Sequence, residues 1–250
     1  MLTRAIATFL LTLPAWTLAQ TAAPAAPAAT PGLRAFSSAA EGTPPAPWRV
    51  VGLPTSKKPL TEFDIINLGG ERVLRVRADR SYANLSHRLP PNTVATRLQW
   101  RWRLDQAVAG ADLRTKNGDD TPIKVCALFD LPLEALSFME RNMLRLTRAA
   151  LGEYLPGATL CYVWDQKLPV GTELPNAFTR RIHYLVLNSG NTPLQTWVSQ
   201  SRDLRADFLR SFGAESSTVP PLLAVAVGAD ADNTAETSLA YVGDLTLVEQ

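Results

Sequence analysis

VATRLQWRWRLD, Val94 to Asp105, alternates with a period of two. Leu98, Trp100, Trp102 and Leu104 fall on one face, and Arg97, Gln99, Arg101 and Arg103 on the other. Successive side chains of a strand point to opposite faces, so the segment reads as a strand with one buried and one solvated surface. The same period extends outward. TEFDIINL (Thr61–Leu68) leads through Gly69-Gly70 into RVLRVRAD (Arg72–Asp79). IKVCALFD, ATLCYVWD, RIHYLVLN, LQTWVSQS, LLAVAVGA and SLAYVGDLTLV follow between Gly, Pro, Asn and Asp turns. Repeated strands of this kind, without an internal repeat, predict an antiparallel two-sheet sandwich.

Two helical insertions interrupt the strands. Leu133 to Leu155 spaces Leu136, Met139, Met143, Leu146, Ala150 and Tyr154 at intervals of three and four, with Arg141, Arg145 and Arg148 on another side. It reads as an amphipathic helix packed on the sandwich, with docking of a protein partner or a membrane surface as the sharper alternative. SRDLRADFLRSFG (Ser201–Gly213) is a shorter helix, with Leu204, Phe208 and Phe212 as its inner stripe and Gly213 at its stop.

The N-terminal 19 residues carry Arg4, the apolar stretch Ala5–Leu18 and a small-residue site near Ala19, the pattern of a secretory signal peptide. Residues 20–47 are rich in Ala and Pro and read as a tether, so a single domain of 48–250 is expected, beginning near Trp48. No later apolar run is long enough to span a bilayer. A formal charge of +2, falling to +1 without Arg4, offers no basic footprint for nucleic acid. Cys126 and Cys161 pair in an oxidising compartment if their strands meet, and otherwise pack as buried thiols. Two cysteines without a CxxC pattern or clustered histidines do not make a zinc site.

Three polar loops hold the candidate ligand-binding residues. Lys116, Asp119 and Asp120 enter one strand; Arg202 and Asp203 open the short helix; Asp230, Asp232 and Asn233 follow a buried strand. Carboxylates of this kind bind a cation, hydrogen-bond sugar hydroxyls, or simply shape Asx turns. Asp203 also suits a helix N-terminus, and the Arg202 fork suits a carboxylate or an oxygen-rich ligand. Counted as an EF-hand from Asp230, the third loop fails, because Ala235 replaces the glycine and Tyr241 the bidentate Glu. Only His87 and His183 are present, which leaves few candidates for a Ser-His-Asp or Cys-His arrangement.

LQWRWRLD, KNGDDTPIKVCALFD, CYVWDQ, LPNAFTRRIHYLVLNSG, WVSQSRDLRADFLRSFG and VAVGADADNTAETSLAYVGDL together cover most of Leu98 to Leu245. In their order and spacing the chain resembles the bacterial domain-of-unknown-function family 3047. Lys124 stands where that family often has Arg, Ala229 where a hydroxyl residue is usual, and the long helix is an enlarged insertion. The resemblance implies a secreted or periplasmic sandwich, jelly-roll-like in outline, in which the three polar loops recur as a set.

The function expected from these residues is non-enzymatic binding of a polar small molecule or saccharide, such as a glycan. Asp120, Arg202, Asp230 and Asn233 supply the hydrogen bonds, and Trp102, Trp164 or Trp197 an apolar platform. No cofactor is expected, calcium being the one cation the acidic loops admit. The alternatives are a hydrolase of envelope polysaccharide drawing a carboxylate pair from Asp119, Asp120, Asp230 and Asp232, and an envelope scaffold docking a partner through the 133–155 helix.

Overall fold

The computed structural model describes residues 32–53, 57–151, 155–190 and 192–248. The signal peptide and the first part of the tether lie outside the described residues. The chain forms a mainly β sandwich of two sheets. One has seven strands, in the order β1 (Arg49–Val51), β4 (Tyr82–Thr93), β11 (Leu222–Asp230), β6 (Lys124–Phe129), β7 (Ala158–Trp164), β9 (Ile182–Asn188) and β8 (Glu173–Pro175). The other runs β10 (Val198–Asp203), β5 (Arg97–Gln106), β12 (Thr237–Val242), β3 (Glu71–Asp79) and β2 (Glu62–Leu68), with β13 (Thr246–Val248) also on β5. The pairing is not wholly antiparallel as expected, since β7 and β9 run parallel.

The alternation of β5 decides the packing. Leu98, Trp100, Trp102 and Leu104 are buried between the sheets. Trp102 meets Trp164 of β7 at 6.0 Å between ring centroids, and Trp100 meets Tyr162 at 5.3 Å. Trp102 and Trp164 are thus wholly buried core residues, which removes both as ligand platforms and corrects the expectation for Trp164. Gly69 and Gly70, both at positive φ, make the tight β2–β3 turn. At Gly228 a Cβ would come within 2.1 Å of Asn84 Oδ1, so a larger residue there would have to displace the Asn84 side chain between β4 and β11.

The folded domain begins earlier than Trp48. Leu33, Phe36 and Ala39 are buried in the main core, and Phe36 packs on Trp48 at 5.0 Å. Residues 32–47 therefore belong to the sandwich and not to a tether. The Ala/Pro composition concealed two large anchors, Leu33 and Phe36.

The long helix is shorter than its periodicity predicts. A 3-10 turn at Leu133–Ala135 precedes α1 (Phe138–Leu151). Leu136 and Leu144 are buried, but Met139, Met143 and Leu146 are 77%, 64% and 69% exposed, so the stripe expected to face the sandwich faces outward. α2 (Leu204–Phe212) behaves as expected, burying Leu204, Phe208 and Phe212 and ending at Gly213.

Cys126 and Cys161 sit opposite each other on β6 and β7, with Cα atoms 4.1 Å apart, and form a disulfide. The bond closes a loop across 35 residues of sequence. Loops of this size stabilise a fold by about 4 kcal/mol in the chain-entropy account. Replacing both cysteines by alanine is therefore expected to lower the melting temperature by roughly 8–16 °C for a domain of this size, measured by differential scanning calorimetry.

Candidate functional site

Two of the three polar loops meet. β11 ends in Asp230 and β6 begins at Lys124, so the neighbouring strands bring the two side chains together at one end of the seven-stranded sheet. Lys124 Nζ donates to Asp230 Oδ2 at 2.8 Å, with both side chains about 5% exposed or less. Asp230 Oδ1 accepts from the Thr121 backbone N–H at 2.7 Å and from the Thr121 hydroxyl. Burial alone would depress the Lys124 ammonium, but the adjacent Asp230 carboxylate overrides it and raises the pKa above its ordinary value. Burial holds the Asp230 carboxyl above its ordinary value against the pull of Lys124 and Thr121.

Asp119 and Asp120 follow the 3-10 turn Lys116–Gly118 and precede β6, so neither lies in a strand. Asp120 spans the gap to the third loop. Its carboxylate accepts from the Asn233 backbone N–H at 3.2 Å, and from the Thr234 N–H and hydroxyl at 2.7 Å each. Asn233 Nδ2 adds a bond to the Asp119 carbonyl at 3.1 Å. Asp119 Oδ2 accepts from Asn176 Nδ2 at 2.5 Å, while its Oδ1 is buried without a hydrogen-bond partner. Burial, helped by the Asp230 charge, pushes the Asp119 carboxyl up to about 6 against the pull of Lys124.

The remaining candidates lie elsewhere. Asp232 pairs with Lys58 at 2.6 Å, and Lys116 extends over the Phe178 ring at 5.4 Å. Arg202 forms a two-pronged ion pair with the buried Asp207, which also accepts from the Tyr162 hydroxyl at 3.0 Å. Asp203 caps α2 by accepting from the Ala206 N–H at 2.9 Å. Arg202 and Asp203 therefore do not join the Asp120–Asp230 cluster, contrary to the shared cleft that the family pattern implied. Within the cluster Asp120, Asp230 and Asn233 hold loop to loop, and Asp230, Asp120 and Asp232 all accept from the protein's own donors. Among the described residues no group of three or more His, Cys, Asp or Glu side chains is placed to hold a metal ion.

An open polar groove lies on the other sheet. The outward residues of β5 face those of the antiparallel β10, with Arg101 opposite Ser199 and Gln99 opposite Ser201. These four, with Glu71 and Asp244, line a groove of about 820 Å³. Arg101 ion-pairs with Glu71 and stacks on the half-exposed Trp197 ring, 4.7 Å from its centroid. Gln99 Nε2 donates to the Ser201 hydroxyl at 3.2 Å. One wall is the N-terminal segment, tied by Asp244 Oδ1, which accepts from the Phe36 and Ser37 N–H groups at 2.7 and 2.9 Å. The polar face of LQWRWR carried the signal for this groove, but only the strand pairing shows what stands opposite it.

Asp230→Ala strands the Lys124 charge in the interior and is expected to cost about 3–5 kcal/mol in urea unfolding. Coupling Lys124→Met to Asp230→Asn should recover most of that loss. Asp119 gives a pH dependence of opposite sense to an ordinary surface carboxylate. Its folded pKa lies above the unfolded one, so its ionisation costs nothing below about pH 4 and progressively destabilises the fold as pH rises through 6. Asp119→Asn should therefore gain on the wild type between pH 4 and 7 by on the order of 1–2 kcal/mol, after discounting for partial solvent screening, in paired unfolding curves.

No curated protein matches the chain. The family 11 carbohydrate-binding module from Clostridium thermocellum superposes at a TM-score of 0.41 and 10% identity, over 87% of this chain and 94% of the module. The Trichoderma harzianum endoglucanase 3 of family GH12 superposes at 0.39 and 9% identity, over 83% of this chain and 100% of the other. Likenesses this distant bear on neither ligand nor activity. The family model described as "Protein of unknown function (DUF3047)" matches residues 46–246, and the chain belongs to that family.

Proposed function

We propose that the protein is a non-enzymatic, periplasmic or secreted module of jelly-roll type, binding a polar ligand of the glycan class in the groove over β5 and β10. The observation that carries this reading is the groove itself. It is open, about 820 Å³ in volume, and lined by Gln99, Arg101, Ser199 and Ser201, with Arg101 also stacked on the neighbouring Trp197 ring. Sugar rings offer apolar CH faces and a fringe of hydroxyls. The groove's amide, hydroxyl and guanidinium groups suit the hydroxyls, and the partly buried Trp197 indole beside Arg101 offers an apolar neighbour. The reading differs from the sequence-level one in place, since Asp120 and Asp230 spend their acceptors on the fold.

Binding without turnover in this groove is favoured because the two carboxylates that line it are already engaged. Glu71 is paired with Arg101, and Asp244 holds backbone N–H groups. The disulfide between Cys126 and Cys161 supports an oxidising compartment. No helix among the described residues is long and apolar enough to cross a membrane.

Isothermal titration of soluble envelope polysaccharide fragments, with and without calcium, tests the assignment. Trp197→Ala and Arg101→Ala should each weaken binding by about tenfold or more, the equivalent of about 1.4 kcal/mol. Lys116→Ala, on the loop of the buried cluster, should leave the affinity unchanged. The opposite pattern would return the site to the loops, and absence of binding by the intact chain would remove glycans as the ligand class.

A further inference from the structure

α1 is seated with its polarity reversed. The side turned to the protein is largely polar. Arg141 donates from Nε to the Leu133 carbonyl at 3.0 Å and from its terminal nitrogen to the Leu136 carbonyl at 3.1 Å. Arg148 Nε donates to the Leu155 carbonyl at 3.0 Å, and Glu140 is met by Arg181 at 3.1 Å. Among the described side chains of α1, Leu144 is the buried apolar residue on this side. The opposite side presents Phe138, Met139, Met143 and Leu146, between 64% and 79% exposed, with Ala149 and Ala150 exposed between them. Soluble helices bury such a stripe. Here the arginines grip backbone carbonyls and hold it outward.

We infer that α1 is a lipid-surface helix that lays this stripe on an anionic bilayer. Size and charge select this occupant over a protein. Fourteen residues span about 21 Å, and a helix face is about 10 Å wide, so the footprint is on the order of 200 Å². A specific protein interface needs about 800 Å² per partner, whereas an interfacial helix binds by an apolar strip of this size with cations beside it. Arg145 lies exposed on the helix, and Arg180 is exposed on the loop whose next residue, Arg181, meets Glu140. Glu140 is drawn inward by Arg181, which also binds Glu215, and exposed Glu134 lies in the preceding turn. Methionine side chains, flexible and polarisable, suit a fluid acyl boundary.

The test uses the full chain with Met143→Cys carrying an environment-sensitive fluorophore; Cys126 and Cys161 are occupied by their disulfide. Emission should shift to the blue on titration with vesicles of phosphatidylglycerol and phosphatidylcholine, and much less with phosphatidylcholine alone. In that labelled background Arg145→Gln should weaken the partition about fivefold, the worth of one cation near an anionic surface. Met139→Ser with Leu146→Ser should weaken it about tenfold or more, with the melting temperature unchanged because the stripe supports no core. Because the probe sits on the helix, attachment through another part of the chain leaves it silent. No shift with anionic vesicles overturns the inference. A shift without vesicles that grows with protein concentration overturns it too, in favour of a second copy of the chain.

Discussion

The ion pair between Lys124 and Asp230 is the constraint around which the polar architecture is arranged. Two charges lie out of water at the meeting of β6 and β11, where desolvation costs several kcal/mol per ion unless every donor and acceptor finds a partner. That requirement propagates. Thr121 must bring its N–H and hydroxyl to Asp230, which fixes the entry to β6. Asp120 must then hold the 231–236 turn through Asn233 and Thr234, which fixes the exit from β11. Strand ends that would otherwise fray are set in register by one electrostatic debt.

Polar residues gathered in one place are therefore not by themselves a site. The Asp120–Asp230 cluster contains the more suggestive residue types, yet its acceptors point into the protein. The groove over β5 and β10 contains ordinary ones, with side chains open to solvent. Distinguishing the two depends on where each lone pair and N–H is spent, which only three-dimensional pairing reveals.

The alternation of Leu98, Trp100, Trp102 and Leu104 was enough to read β5 and its buried face, because a period of two has one structural solution in a sandwich. The loops of Asp120 and Asp230 were legible as polar, but their meeting through Asn233 and Thr234 was not readable from spacing. Arg202 was not separable from them, since its partner Asp207 lies only five residues on and gives no hint of location. The 139–143–146 stripe marked an amphipathic helix but not its orientation. Periodicity says that one face is apolar and is silent about which face the rest of the protein meets. In residues 32–47 composition misled, because two large side chains suffice to anchor a segment that otherwise has little to bury.

Asp244 lies near one end of the chain and holds Phe36 and Ser37, about 208 positions earlier in sequence. A contact of that span closes after nearly all the intervening chain has been ordered, since each shorter loop lowers the entropy of the next closure. The wall of the groove thus depends on one of the longest-range contacts in the molecule. The groove over β5 and β10 is walled jointly by segments far apart in sequence, and it exists as a surface only when both are in place.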